Sequence, residues 1–321
     1  MKKNNSLEEI IAKLSASQTV AVFCHVRPDG DAIGGGLALC LGLRNLGKTA
    51  FMCCDEYDPE KFAFLPVTKE ILTELPEAEY DTFVSLDCAD ITRLGIYQRR
   101  YSKLNGVTIN IDHHISNDGY AKYNYVSDCP ATCEIVTEIF KRAGWEITED
   151  IANLLMLGLI TDSGNFTHTD VTPKTYETAA YLRGNGADMN KINYEMFTRQ
   201  PKARAILYGK VMSKMRFFLA DRLALIVISN EDMTKSGATK SMTEGFVDFP
   251  LTIDGVEVSA SVMEFKEGQY KISLRSKGTV NVNAIAATFG GGGHVLASGC
   301  MLFGSLEEVI DKLTYAVYQN L

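Results

Sequence analysis

Thr19-Val-Ala-Val-Phe-Cys24 runs directly into His25-Val-Arg-Pro-Asp29-Gly-Asp31: a short β-rich apolar stretch that breaks into a polar turn carrying an imidazole and two carboxylates. The first six residues show no polar alternation and are too few for a helix, so they read as a strand buried on both faces. Beyond the turn, Leu37, Leu39, Leu41, Leu43 and Leu46 mark a largely apolar helix that ends near Gly47. The same grammar repeats downstream. Thr49 to Cys54, Thr82 to Leu86 and Val107 to Ile111 read as further buried strands, and Ala131 to Ala143, Ile151 to Ile160 and Pro173 to Asn185 as helices, the last stopped by Gly186. Strands alternating with helices predict an α/β fold with a parallel sheet over residues 1–190.

The texture then changes. Residues 191–204, with Pro201 and Lys202, read as a linker to a smaller mixed-sheet α/β domain over 205–321. In that domain Arg222 to Ile228, Val256 to Val262 and Gln269 to Arg275 read as strands, the last two with clean alternation, so one sheet face is buried. Asn283 to Phe289 and Ser305 to Tyr318 read as helices, the second opened by the capping box Ser305…Glu308.

The 321 residues carry 32 Lys and Arg against 40 Asp and Glu, a formal net charge of −8. An acidic chain gains little from counterion release on long duplex nucleic acid, so long duplexes are not expected partners. Apolar runs such as Leu37 to Leu43 stop well short of the ~18 residues that a membrane span needs, and Met1-Lys-Lys-Asn-Asn leads into an amphipathic stretch and no secretory core. The eight cysteines show no paired zinc spacing and read as reduced, buried thiols, which points to a cytoplasmic protein.

Chemistry concentrates at element ends. His25, Asp29 and Asp31 follow the first strand, Asp87 ends the third, Asp112-His113-His114 ends the fourth, and Asp162 follows the helical run 151–160. Any one of these alone is an ordinary cap or turn residue. Together they bring carboxylate and imidazole to the carboxyl edge of one sheet, where parallel α/β folds bind ligands. Asp29, Asp31, Asp87 and Asp162 supply four negative charges, and His25 and His113 two neutral nitrogens. Four carboxylates in one cleft raise each other's pKa unless compensated, and two divalent cations balance them. Oxygen-rich ligation with imidazole and no thiolate favours Mn²⁺, with Mg²⁺ and Co²⁺ as alternatives. Such a pair clamps a phosphoryl group and activates water.

In the second domain, Gly290-Gly-Gly-Gly-His294 exposes backbone N–H groups without Cβ obstruction, a candidate phosphate cradle. Gly291, Gly292, Gly293 and His294, with Arg275 on the preceding strand, are the candidate substrate-binding residues. Lys271, Ser276 and Lys277 either support them or are solvated strand residues. Arg93 reads as either a phosphate contact or a helix-surface ion pair, and His168 as a loop histidine, with lining of the cleft as its alternative.

His25-Val-Arg-Pro-Asp-Gly-Asp31-Ala-Ile-Gly34, Val84-Ser-Leu-Asp87, Asp112-His113-His114 and Gly158-Leu-Ile-Thr-Asp162-Ser-Gly164 resemble the successive motifs of the DHH phosphoesterase superfamily. Ser273-Leu-Arg275-Ser followed by Gly290 to Gly299 resembles its DHHA1 substrate domain. The compact layout is similar to that of the bifunctional oligoribonucleases and 3′-phosphoadenosine 5′-phosphate phosphatases. Gly35, Ser163 and Ser298 depart from the residues common there (Ser, Thr and Ala), and none is a ligand.

The resemblance implies that His25 and Asp29 hold one metal, that Asp31, His113 and Asp162 hold the other, and that Asp87 bridges. It further implies that His114 hydrogen-bonds the scissile phosphate or leaving oxygen and that Asp112 orients the imidazoles. The expected activity is two-metal hydrolysis of short RNA or DNA oligonucleotides, linear dinucleotides and 3′-phosphoadenosine 5′-phosphate, releasing mononucleotides. The held terminal phosphate would act as a ruler for short substrates, and a homodimer is common in such proteins. Cleavage of cyclic di-AMP, hydrolysis of pyrophosphate or polyphosphate, and a non-catalytic nucleotide-binding module are the rival readings.

Overall fold

The computed structural model describes residues 4–321, so Met1 to Lys3 lie outside the described residues. Two compact units meet at Arg199 and Gln200. The first contains α1 (Leu7–Ala16), β1 (Thr19–Phe23), α2 (Gly30–Asn45), β2 (Thr49–Cys53), β3 (Thr82–Leu86), α3 (Gln98–Lys103), β4 (Val107–Asp112), β5 (Tyr123–Val126), α4 (Thr132–Ala143), α5 (Glu149–Asp162), α6 (Pro173–Gly184) and α7 (Met189–Asn193). Its five strands are all parallel, in the order β2-β1-β3-β4-β5. The strand order reverses between β1 and β3, so the crevice at their carboxyl ends is the expected ligand position.

Both faces of this sheet are covered, which is why its strands are continuously apolar. Val20 and Val22 pack into the core formed with α2, α4 and α5, while Ala21 and Phe23 pack with Phe83, Tyr97 and Tyr101 on the other face. α2 and α5 approach closely because glycines face backbone: a Cβ on Gly34 would overlap the carbonyl of Leu154, and one on Gly158 would overlap Asp31.

The second unit contains α8 (Lys202–Met212), β6 (Arg216–Phe218), β7 (Leu223–Ile228), α9 (Asn230–Ser236), β8 (Val258–Lys266), β9 (Gln269–Ser276), α10 (Val282–Thr288), β10 (Gly292–Gly293), β11 (Ala297–Phe303) and α11 (Leu306–Tyr318). They form a six-stranded mixed sheet, β10-β11-β9-β8-β7-β6, in which β7 and β8 are parallel and the other pairs antiparallel. Val258, Ala260, Val262, Ile272 and Leu274 turn to a core shared with α10 and α11. On the opposite face Ile226, Ile228 and Met263 pack with Leu207 and Val211 of α8.

The expected linker, 191–204, is largely helical. α7 extends through a π-helical turn at Tyr194–Thr198, and Ile192 is fully buried in the first core, while Lys202 already starts α8. Its polar composition disguised helices that bury only one or two side chains. The α11 capping box forms as its sequence indicates. All eight cysteines are unpaired, and all except Cys129 are buried. No helix among the described residues is long and apolar enough to cross a membrane.

Candidate metal centre and phosphate site

The turn after β1 supplies the first ligand group. Asp29 is the N-cap of α2, its Oδ1 accepting from the N–H groups of Asp31 and Ala32 at 3.1 Å each. A capping aspartate and a ligand are compatible here, because Oδ2 is left facing His25 Nε2 at 3.6 Å. The other face of the same nitrogen meets Asp87 Oδ2 at 3.4 Å. Asp87 ends β3 with φ of +53°, a left-handed conformation in which a non-glycine residue is uncommon.

Asp31, in the first turn of α2, is fully buried and does a second job. α4 begins at Ala131, which has no side-chain cap of its own. Asp31 supplies one from outside: its Oδ1 accepts from Cys133 N (2.8 Å) and its Oδ2 from Thr132 N (2.6 Å). Those orphan donors and the positive end of the helix dipole favour the carboxylate there. Thr132 Oγ1 donates to Asp87 Oδ1 at 3.2 Å, tying the same helix start to a second carboxylate.

The two histidines are locked in the same way. Nδ1 of His25 lies 2.9 Å from the carbonyl of Val26, and Nδ1 of His113 lies 2.9 Å from the carbonyl of Cys129. A ring proton on Nδ1 leaves Nε2 bare and aimed at the carboxylates, the arrangement metal-bound imidazoles adopt. His113 Nε2 sits 3.2 Å from Asp162 Oδ2 and 3.4 Å from Asp87 Oδ1. It is nevertheless buried with no hydrogen-bond partner, because neither carboxylate lies along its bonding direction. Ligand atoms of His25, Asp29 and Asp87 cluster within 4.8 Å of one another, as do those of Asp31, His113 and Asp162, and those of Asp87, His113 and His114.

Charge in this cluster is under tension without a cation. Burial opposes protonation of His25, yet its bonds to Asp29 and Asp87 outweigh that and push its pKa up to about 11. Burial is likewise overcome at His113 by Asp162, Asp87 and Asp31, which push it up to about 12. Burial and then the charges of Asp87 and Asp162 drive Asp31 well above the carboxylate range. Asp87 goes the other way: despite burial, His113 and His25 hold it far below that range. The cluster seeks positive charge and takes protons when nothing else supplies it.

His114 shares a cluster with Asp87 and His113, its Nδ1 lying 3.6 Å from Asp87 Oδ1, but its closest partner is Asp112. Its Nδ1 is 2.7 Å from Asp112 Oδ1, which raises its pKa, and its side chain is about one-third exposed. Asp112 is fully buried and also accepts from the backbone N–H of His113 at 2.9 Å. His168, read as a loop histidine, has Nδ1 2.8 Å from the carbonyl of Asp162. Arg93 is exposed and makes no ion pair among the described residues, so of its two readings the ion pair is not found. Ser163 bonds the carbonyl of Leu159 and Ser298 that of Val282, so both departures from the common residues are spent on local backbone.

In the second unit, Lys271, Ser273 and Arg275 lie at alternate positions of β9 and share a sheet face. Two cavities of about 470 and 430 Å³ both include these three residues in their walls. The first adds Lys240 and Phe265; the second adds Gly292 and Gly293. Arg275 Nε donates to Asp248 Oδ1 at 3.0 Å and Nη1 to the carbonyl of Leu274, so Asp248 fixes the fork, a role not read from sequence. Ser276 and Lys277 serve the neighbouring turn: Ser276 Oγ accepts from Gly278 N, and Lys277 Nζ donates to Ile253 O.

The glycine run is only in part a row of free N–H donors: Gly290 and Gly291 donate to the carbonyls of Ala287 and Ala286, while Gly292 and Gly293 lie in register with Gly299 and Ser298 and remain exposed. Its small size serves close packing: a Cβ on Gly291 would overlap the carbonyl of Gly299. His294 begins the tight turn to β11, with its backbone N–H donating to Ala297 O at 2.8 Å, and lines neither cavity. The residues sequence reasoning missed, Thr132, Asn117 and Asp248, are uncharged or lie far from any motif; only the uncapped start of α4 signalled that a carboxylate must come from elsewhere.

Comparison with known proteins places this arrangement. Residues 19–159 match the DHH family, N-terminal domain, and residues 221–320 match the DHHA1 domain. The chain is 32% identical over 308 residues to a Thermus thermophilus protein named bifunctional oligoribonuclease and PAP phosphatase NrnA, covering 94% of this chain and 90% of that one. It is 26% identical over 306 residues to the Bacillus subtilis protein of the same name, covering 92% and 93%. A crystal structure described as an exopolyphosphatase-related protein from Bacteroides fragilis shares the fold with a TM-score of 0.83 and 28% identity, over 98% of this chain and 95% of that one. Matched in both domains, in order and across nearly its whole length, the chain belongs to the DHH–DHHA1 family.

Proposed function

We propose that the chain is a metal-dependent phosphoesterase that hydrolyses short oligonucleotides, linear dinucleotides and 3′-phosphoadenosine 5′-phosphate to mononucleotides. The observation that carries this reading is the pair of histidines whose Nδ1 atoms are tied to backbone carbonyls while their Nε2 atoms face pooled carboxylates, His113 Nε2 buried without a hydrogen bond. His25 and Asp29 would hold one divalent ion and Asp31, His113 and Asp162 a second, with Asp87 shared. The donor set of oxygens and imidazoles without thiolate suits Mn²⁺, with Mg²⁺ or Co²⁺ as substitutes. Such ions supply charge neutralisation at the phosphoryl oxygens and an activated water.

The protein's own groups do the rest. His114, held at Nδ1 by Asp112, presents Nε2 to the scissile phosphate or leaving oxygen, and its raised pKa keeps a proton there for donation. Arg275, half-engaged by Asp248, keeps Nη2 for a substrate phosphate, with Lys271 beside it. The acidic surface of the chain, net −8, disfavours long duplexes, and eight unpaired cysteines fit a cytoplasmic setting. The relatives named above carry oligoribonuclease and PAP phosphatase in their names, in line with this reading.

The test is Mn²⁺-dependent turnover of a linear dinucleotide, a five-nucleotide RNA, 3′-phosphoadenosine 5′-phosphate, cyclic di-AMP and pyrophosphate. Hydrolysis of the first three, abolished by a chelator and restored by Mn²⁺, is expected. Silence across the panel overturns the enzyme reading.

A further inference from the structure

Behind the candidate centre lies a buried polar network that the metal ligands do not use. Asn117, 1% exposed, closes the turn after His114, its backbone N–H donating to the carbonyl of His114 at 3.0 Å. Its side-chain Nδ2 donates to Asp112 Oδ2 at 2.5 Å and to Asn110 Oδ1 at 2.7 Å, with the carbonyl of Cys88 farther off at 3.3 Å. Its Oδ1 accepts from Gly119 N at 2.8 Å, which fixes the amide's orientation: the flipped amide would set oxygen against two oxygens and orphan that N–H. Asp112 therefore has its two oxygens divided, Oδ1 to His114 and the His113 backbone, Oδ2 to Asn117.

We propose that Asn117 is a positioning residue for hydrolysis: by holding Asp112 Oδ2 it fixes the carboxylate plane, and so fixes the orientation of His114 toward the phosphate. The inference rests on His114 acting at the phosphate as described above. The hydrogen bonds of the Asn117 side chain go to Asp112, Asn110, the Cys88 carbonyl and Gly119 N, none of them a candidate metal ligand. The Cys88 carbonyl, next to Asp87, keeps Asn110 Nδ2 at 3.2 Å and Tyr120 Oη at 3.0 Å without it. Loss of Asn117 accordingly acts first on the Asp112 carboxylate, and through it on His114.

The experiment compares Asn117→Ala and Asn117→Asp in the full chain. Loss of a group that orients a catalytic side chain lowers kcat by about 10- to 100-fold, while KM and the Mn²⁺ concentration for half-saturation stay within about twofold of wild type. Asn117→Asp, which keeps the volume but opposes Asp112 with a second carboxylate, should be no better than Asn117→Ala; rescue by Asp would mean a packing role and overturn the proposal. On a His114→Ala background, Asn117→Ala should add less than about a further twofold, since residues acting as one unit are non-additive. Full additivity overturns it.

One measurement needs no activity. Nitrogen-15 NMR of the histidines in the wild-type chain should find the His114 Nδ1 protonated, and Asn117→Ala should move that resonance. An unprotonated Nδ1 in the wild type, or an unmoved one in a folded variant, refutes the relay. If the wild-type chain turned over none of the panel substrates, the proposed function would fall while these resonances still decided the relay.

Discussion

Gly158 in α5 is the position where one added methyl group most directly tests how the centre is assembled. A Cβ there would lie 2.5 Å from Asp31 Oδ1 and 2.8 Å from Asp31 Cα, and would overlap Cys133 Sγ as well. Carbon atoms settle at about 3.5–4.0 Å, so α5 must move off α2 by roughly 1 Å, because the obstructing atoms include backbone. Overpacking of this kind costs about 1–3 kcal/mol, and at about 2–4 °C per kcal/mol for a unit of this size Gly158→Ala should lower the Tm by about 2–12 °C. The functional effect should be larger. Asp31 sits on one side of the contact and Asp162 four residues beyond Gly158, so the same movement separates two candidate ligands, and a 1 Å misplacement costs about 100-fold in rate. Thermal melts with and without Mn²⁺, alongside kcat on a dinucleotide, measure both. Gly184→Ala is the control: with no atom within 4 Å of its Cβ, it should be neutral or stabilising by up to ~1 kcal/mol. Wild-type Tm and turnover in Gly158→Ala would refute the close-approach argument.

Asp87→Ala should abolish hydrolysis, because it removes the carboxylate shared by both ligand groups; full turnover in a metal-dependence assay would sink the two-metal reading. Arg275→Ala should raise KM about tenfold or more with kcat and Mn²⁺ binding little changed, since its guanidinium belongs to the second unit and the acid cluster to the first. Metal uptake should release protons. In the metal-free chain His25 and His113 titrate near 11 and 12 rather than about 6.5. Their protonation therefore stabilises the metal-free fold fully below pH ~6.5, and that stabilisation is lost only as pH climbs through those raised values. At pH 8 both rings still carry the proton that Mn²⁺ must displace, so calorimetric titration in buffers of different ionisation enthalpy should report net proton release, with affinity rising with pH. A buffer-independent heat would contradict this.

Much of the first unit was legible because a parallel sheet buried on both faces writes itself as uninterrupted apolar runs, as in Thr19 to Phe23. The candidate ligands were legible because all but Asp162, which ends α5, stand at or just beyond the carboxyl ends of those runs. Elements whose signal is weak were not. β5 is four residues at a sheet edge, and β11 hides behind small residues, since Ala297, Ser298 and Gly299 look like loop and yet pair with β9 along their whole length. The helices within 191–204 bury too few side chains to show a period. At the site, sequence offers candidate ligands but not what holds them: Asp31 capping α4, Asn117 behind Asp112 and Asp248 beside Arg275 are contacts across 101, 5 and 27 residues set by tertiary packing. The glycine run reads two ways for a related reason, because freedom from side chains signals an anion cradle and tight backbone packing equally well.

The borrowed cap on α4 bears on how such a protein lives through metal scarcity. Asp31 is anchored by two backbone N–H groups whether or not a cation is near it, and the histidine rings by carbonyls. A socket held open by the polypeptide survives losing its contents. A chain stripped of its ions should therefore wait as a folded reserve, ready to resume work when the supply returns, with no need for the cell to make it again.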